Sequence, residues 1–247
     1  MSYVAYLAIV ATVWTVILLP EGRLRGFVYA LPIPMSIALL GTAASATGTG
    51  TQLLGVPLLV VFFLVVALVE DRVGRLAAVI VGVLVVVACG AALHRWVTLT
   101  WPQAYGVAAA LWLLGGVGVR PLLARWPHTP RTARPAPALP SRLRSLVSVL
   151  VAAGVSFALG SWLGPFVVTF PYSGVPVALL LTRNPRDFTA DFGWRSGVLT
   201  VFLAAHHEAS QRMGPVEALA VGWVACLAAT GLLVLVQGSR GPVARNP

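Results

Sequence analysis

FVVTFPYSGVPVALLLT, residues Phe166–Thr182, is apolar enough to enter a membrane yet carries two helix breakers, Pro171 and Pro176, with Tyr172, Ser173 and Gly174 between them. A proline inside a helix has no N–H to give, so Pro171 and Pro176 would leave the carbonyls of Val167 and Tyr172 without their helical donors. In hydrocarbon such a carbonyl needs another partner, and breaks of this kind are tolerated where protein or a watery cavity supplies one. The first half of the chain carries nearly the same phrase, FVYALPIPMSIALLGT, Phe27–Thr42, in which Pro32 and Pro34 would free the carbonyls of Val28 and Ala30. Two interrupted apolar segments at matching places are the pattern to be explained.

The rest of the chain has the composition of a membrane protein. Of 247 residues, 58% are hydrophobic and only 10% charged, against about a quarter charged in soluble domains. A bilayer core takes about 20 apolar residues per helix. Nine spans are therefore expected, at residues 3–20, 26–44, 52–69, 76–94, 97–119, 143–162, 165–182, 195–209 and 215–237. The opening run has no basic region before its apolar stretch and reads as the first span, not as a cleaved signal. Cys89 and Cys226 both lie in apolar runs and indicate neither a disulfide framework nor a zinc site. All 17 basic residues are arginine, which with the abundant Ala, Val and Gly points to a GC-rich bacterial genome.

The net charge of +10 would indicate nucleic acid in a soluble protein, but here the arginines sit between hydrophobic runs and act as topology signals. With the N-terminus outside and the C-terminus inside a bacterial inner membrane, fifteen arginines fall inside and two, Arg95 and Arg212, outside. If the proline-broken segments were re-entrant loops the division would become eight against nine, and the bias would vanish. The Pro/Arg-rich stretch at residues 128–142 reads as a linker without packed structure.

Residues 143–237 align over residues 3–94 beyond the proline phrase. Arg72, Gly74 and Gly82 reappear as Arg212, Gly214 and Gly222 at an offset of 140. The span at 97–119 has no counterpart, and one unpaired helix between two four-helix units makes the second unit enter from the opposite face. The expected fold is thus an all-α polytopic membrane protein with two inverted four-helix repeats, residues 1–96 and 143–247, joined by a linking helix and linker at 97–142. Inverted repeats recur in secondary transporters, with the substrate near the midplane beside interrupted helices.

Phe170-Pro171, the apolar helix after it, the polar hinge RNPRDFTADFGWR with Arg195 opening the next helix, and the final Gly/Ala-rich span resemble the small four-helix inner-membrane proteins of the GlpM type. The resemblance covers residues 146–237 well and 3–94 more weakly, since GTAASATGTGTQ has no charge and no equivalent of Arg195. It implies an integral-membrane role and carries over no catalytic residue. A second parallel is architectural: small multidrug exporters pair antiparallel, and duplication with a linking helix would join such a pair. Their membrane-embedded glutamate in the first helix has no counterpart here.

Ionisable groups inside a membrane are costly and therefore informative. His206, His207 and Glu208 are candidates for proton coupling, with His206 about 16 Å along the helix from Arg195 at 1.5 Å per residue. The competing reading is a wet helix end. Neighbouring residues on a helix point about 100° apart, so no metal is expected, and no motif calls for a cofactor. Pro32, Pro34, Thr169, Pro171, Tyr172, Ser173 and Pro176 are candidates for substrate binding; the polar ones among them serve equally to satisfy freed carbonyls. In the hinge, Arg183, Arg186, Asp187, Asp191 and Arg195 read as a salt-bridged interfacial loop, with an anion site or paired carboxylates as alternatives. Glu70 and Asp71 beside Arg72 and Arg75 read as a solvated turn. Trp96, Trp101, Trp126 and Trp194 fit interfacial belts.

The leading expectation is a secondary transporter or exporter of a small molecule. Alternatives are a non-catalytic scaffold or assembly subunit using the small-residue face Gly115–Val119, and a lipid-modifying membrane enzyme using His206, His207 and Glu208. The expected partners are the lipid bilayer and an unidentified small-molecule substrate, without nucleic acid; self-association into a homo-oligomer stays open.

Overall fold

The computed structural model describes residues 31–42, 50–125, 174–180 and 185–238, together with Ala11, Gly154, Phe166 and Thr169. Among the described residues there are seven α-helices and no strand: α1 (Ile33–Thr42), α2 (Gly55–Val73) entered through a 3-10 turn (Gly50–Leu54), α3 (Arg75–Trp96), α4 (Trp101–Arg125), α5 (Gly174–Leu180), α6 (Pro185–Ser210) and α7 (Pro215–Gly238). Four segments, Gly50–Val73, Arg75–Trp96, Trp101–Arg125 and Pro215–Val236, are long and apolar enough to cross a bilayer. That is the character of an integral membrane protein. The expected spans at 3–20 and 143–162 and the linker at 128–142 lie outside the described residues, except for Ala11 and Gly154, both helical.

The helix starts differ from the expectation in an informative way. The described part of the first proline phrase begins its helix at Ile33, with Pro34 as second residue, and that of the second phrase begins at Gly174, with Pro176 as third. In a first turn the N–H has no acceptor within the helix, so proline is favoured there. Pro34 therefore starts a helix instead of kinking one. The carbonyl of Pro32 is occupied: it accepts the Ser36 N–H and lies 2.8 Å from the Ser36 hydroxyl.

The hinge at 183–195 is the clearest correction. From Pro185 onward it is helix, the first eleven residues of the 26-residue α6, so Arg186, Asp187, Asp191 and Arg195 project from a helix and not from a loop. Pro185 opens the helix and Asp187 lies in its first turn, where a carboxylate complements the helix dipole.

The core is an antiparallel pair, α2 and α6. Phe63 packs edge-on against both Phe188 and Phe192, centroids 4.9 Å away in each case. Further along α2, Asp71 meets Arg186, so residue numbers rise on one helix as they fall on the other. Each core helix carries an antiparallel neighbour, α3 on α2 and α7 on α6. The two pairs touch in the same way. A Cβ on Gly82 would stand 3.0 Å from the Phe62 ring and 3.2 Å from Val66; a Cβ on Gly222 would stand 3.1 Å from the Phe202 ring and 3.2 Å from His206. All three positions differ by 140. Ala78 and Ala218, at the same offset, are both fully buried, and each donates its N–H to the glycine four residues earlier, Gly74 or Gly214.

Crosswise contacts complete the bundle. α1 touches α7 and α5 touches α3, so each short helix leans on the last helix of the other half. The Trp223 indole N–H on α7 donates to the Ser36 hydroxyl on α1 at 3.0 Å. Helix α4, the expected linking helix, is no bystander: it runs parallel to α2 and antiparallel to α6 and packs against both.

Side chains that fill the two glycine contacts should be disruptive, since overpacking a tight interface costs about 1–3 kcal/mol. Gly82→Leu and Gly222→Leu are expected to lower the thermal midpoint of detergent-solubilised protein, read by tryptophan fluorescence. Gly118→Leu and Gly231→Leu, where an added Cβ meets nothing within 4 Å, are expected to leave it within error.

Candidate functional site

Polar groups in this bundle collect in three places, two ends and a middle. At one end lie the C-terminus of α2, the start of α3, the C-terminus of α4 and the start of α6. Arg186, itself buried, stands 3.5 Å from Asp71 of α2 and donates to the Leu123 carbonyl of α4 at 2.9 Å. The Arg75 Nε donates to Glu70, buried to 4% exposure, at 2.9 Å. Outside these, Arg120 and Asp191 pair at 3.1 Å with both side chains exposed. Glu70 is therefore not solvated but pairs with Arg75 across the α2–α3 turn, while the partly buried Asp71 and the buried Arg186 tie α2 to α6, and Arg186 ties α6 to α4 through the Leu123 carbonyl. The connection beyond Glu70 turns at Gly74, whose φ of 82° and ψ of 164° suit glycine alone.

The three segments brought together here, around Glu70–Arg75, Arg120–Arg125 and Arg186–Arg195, are ones the arginine bias placed on a common side. The side-chain chemistry explains the convergence: each end of a buried helix that carries a charge finds its counter-charge on a neighbour.

At the opposite end lie the 3-10 turn, the α3–α4 connection, the start of α4 and the C-terminus of α6. The turn is stitched to that connection. Gly50 donates its N–H to the Leu99 carbonyl at 3.2 Å, the Thr51 hydroxyl donates to the Val97 carbonyl at 3.2 Å, and Leu99 N–H donates back to the Thr51 oxygen at 3.3 Å. Gln103 accepts the Thr100 N–H at 3.0 Å, half of a capping box that starts α4. This Thr-x-x-Gln signal was readable in the sequence and marks the helix start at Trp101.

His206, His207 and Glu208 reach this end and there part company, as their angular spacing requires. His206 is buried beneath Gly222 and near Phe202, on the face toward α7. His207 turns to α4 and stacks on Trp101, ring centroids 3.4 Å apart and planes within 11°. Glu208 is exposed and accepts the Tyr105 hydroxyl at 2.5 Å. The trio is thus neither one site nor a uniformly wet helix end. Among the described residues no group of three His, Cys, Asp or Glu side chains is placed to hold a metal ion.

The middle holds the substrate-binding candidates. Thr169 is buried directly over Gly55, where any Cβ would collide with its side chain, and its hydroxyl donates to the Phe166 carbonyl at 3.3 Å. Pro32 and Thr169 are buried, while Pro171, Tyr172, Ser173 and Arg183 lie outside the described residues. Sequence reasoning missed Thr51, Gln52 and Thr189, all buried polar residues. Thr189 lies fully buried with its hydroxyl within reach of the carbonyls of Phe63 at 3.1 Å and Pro185 at 2.7 Å. Nor does Trp194 belong to an interfacial belt: it covers Gly116 and meets Trp112 edge-on at 5.8 Å. Trp96 is 79% exposed.

No protein family, curated protein or solved structure matches the chain.

The two ion pairs at the clamped end differ in burial and should differ in weight. Arg186→Ala strands Asp71 and removes the donor to Leu123, a loss expected to cost about 3–5 kcal/mol, as for other buried pairs broken on one side. Arg120→Ala removes an exposed pair and should cost less than about 1 kcal/mol. Thermal unfolding of the two variants in detergent, compared at the same pH and salt, checks the ordering.

Proposed function

We propose that this chain is a secondary transporter or exporter of a small molecule, built from two inverted four-helix units joined by α4. The observation that carries the reading is the recurrence, at one offset of 140, of the Phe62/Gly82 contact as Phe202/Gly222, within helix pairs whose core members α2 and α6 run antiparallel. Equivalent segments then lie at opposite ends: the turn at Gly50 beside the start of α4, and the start of α6 beside its C-terminus. Two such units with a pseudo-twofold relation supply two interconvertible states, open to either side of the membrane. The crosswise contacts of α1 with α7 and α5 with α3 are what that relation requires.

In this reading the substrate sits between the proline-marked helix starts, near Thr169 and Gly55, with Pro171, Tyr172 and Ser173 adjoining in the chain. Coupling falls to His207 and Glu208, which face α4, whereas His206 acts as a packing group under Gly222. The membrane is the bacterial inner membrane, with the arginine-rich end inside, and the two halves descend from a GlpM-type ancestor. The reading as a lipid-modifying enzyme is weakened by the scattering of the three acid–base candidates onto separate contacts. The scaffold reading retains one favourable observation: Gly106 and Gly118 on α4 have open space beside them, as a partner helix would use. Gly116 of the same helix is already occupied by Trp194.

Two experiments test the proposal. Thiol labelling from outside intact cells should reach a cysteine at Ser45→Cys and spare one at Asp187→Cys; labelling of both from one side refutes the inversion. Reconstituted protein should accumulate a solute in a proteoliposome uptake screen, and Thr169→Val, Pro171→Ala and Tyr172→Phe should each reduce that flux at unchanged membrane insertion. Undiminished flux in all three removes the site assignment.

A further inference from the structure

Helix α6 carries one arginine to the middle of the bundle. The Thr189 hydroxyl lies 3.1 Å from the Phe63 carbonyl of α2. The two helices run antiparallel, so Arg195, six residues further along α6, is level with Pro57 of α2, about 10 Å in from the nearer end of the apolar segment Gly50–Val73. Helix α4 gives the same height. Trp194 and Gly197, on either side of Arg195 in the chain, seat against Gly116 and Trp112, half way along Trp101–Arg125.

An arginine at that depth is costly, and in membrane proteins such residues mark binding and transfer sites. Arg75, Arg120 and Arg186 each meet a carboxylate, and Arg95, Arg125 and Arg212 are exposed at helix ends, where water solvates them. Arg195 is half-buried and forms no ion pair or hydrogen bond among the described residues. Asp191, one turn before it, is held by Arg120 at 3.1 Å. The other side chains one turn away, Phe192, Val198 and Leu199, are buried and apolar. The remaining described carboxylates serve elsewhere or lie too far: Glu70 and Asp71 pair with Arg75 and Arg186, Glu208 accepts from Tyr105, Asp187 lies eight residues back along α6, and Glu217 follows the far end of α6.

At the offset of 140 that relates Phe62 to Phe202, Arg195 corresponds to Gly55. Gly55 has Thr169 seated on it, whereas the equivalent place on α6 carries a long cation. The two positions stand within about 3 Å of one height along the antiparallel pair, the level already assigned to the solute.

We infer that Arg195 is the anion-binding residue of the solute site, and that the solute is a water-soluble organic acid, a carboxylate or phosphate ester on an apolar body. The naming of the solute rests on the transport reading, while anion binding at Arg195 does not. A guanidinium presents a planar fork to two oxygens of a carboxylate or phosphate. The apolar neighbours lower the local dielectric, which strengthens that contact, and they suit the apolar part of such a molecule. A lipid headgroup offers the same oxygens, but headgroups lie at the ends of the spans and Arg195 lies in from them.

The test uses full-length protein in phosphatidylcholine nanodiscs and phenylglyoxal, which modifies accessible guanidinium groups, with the sites mapped by mass spectrometry. Arg195 is expected to react and the buried Arg186 to be spared. Benzoate or phenyl phosphate should slow the reaction at Arg195 about tenfold, the weight of one charge-assisted hydrogen bond, and neutral benzamide should not. An unreactive Arg195, or one that neither anion protects, overturns the site. Phosphatidylglycerol added to the nanodiscs should leave Arg195 reactive; protection by that lipid assigns the arginine to a headgroup and overturns the solute. Uptake of phenyl phosphate into proteoliposomes separates the two claims. Arg195→Gln is expected to abolish it and Arg195→Lys to keep part of it, since the charge stays without the fork. Protection without uptake counts against transport and leaves the anion site standing, whereas uptake undiminished by Arg195→Gln removes the site and leaves transport.

Discussion

Close approach of helix backbones at glycine is the constraint on which this bundle depends. In a bilayer the lipid is as apolar as the side chains, so helices associate by packing quality and by internal hydrogen bonds, with little hydrophobic driving force. Glycines supply the approach at Gly55, Gly82, Gly116, Gly197 and Gly222, and at each a specific larger side chain lies over the gap: Thr169, Phe62, Trp194, Trp112 and Phe202. These five sites join α2 to α3, α6 to α7 and α4 to α6, and seat Thr169 against α2. Enlarging any one of the glycines forces the side chain seated over it to shift.

Charge is arranged around that packing, not within it. The middle of the α2–α6 pair is aromatic and aliphatic, with Phe63, Phe188 and Phe192 in contact. The buried charges Glu70 and Arg186 lie at one end, each with a counter-charge from another position. A buried pair contributes little net stability over an apolar alternative, because desolvation offsets the attraction, but breaking it is costly. Such pairs fix which helix ends meet, and here they bring α2, α4 and α6 to one end in a single arrangement. The opposite end is held by neutral hydrogen bonds around Thr51 and by the Trp101–His207 stack, a softer fastening.

Apolar side chains cover much of the outside of the described bundle, while polar groups gather at its two ends and in its middle. Phe62/Gly82 and Phe202/Gly222 are one contact repeated at an offset of 140. Helix α4 packs against both core helices, α2 and α6.

In the described apolar runs element type was legible, because such runs in a chain with so few charges have one stable backbone solution in lipid, the helix; the polar hinge from Pro185 was not, and it too is helix. The arginine spacing anticipated which loops gather at one end, since each charge must find water or a counter-charge. The offset of 140 was visible in Arg72, Gly74 and Gly82, because glycines that permit close contact cannot be exchanged freely. What the sequence could not give were the partners. Pro34 read as a break until the helix start at Ile33 placed it in a first turn. His206, His207 and Glu208 read as one cluster until two neighbouring helices, α7 and α4, drew them apart. Gly116 read as a free face until Trp194 was seated on it. Hydropathy and spacing are properties of a residue and its chain neighbours, so composition and pattern determined the helices and their rough order; which side chain fills which glycine, and which carboxylate meets which arginine, depends on groups 5 to 115 residues away and was decided only by how the helices pack.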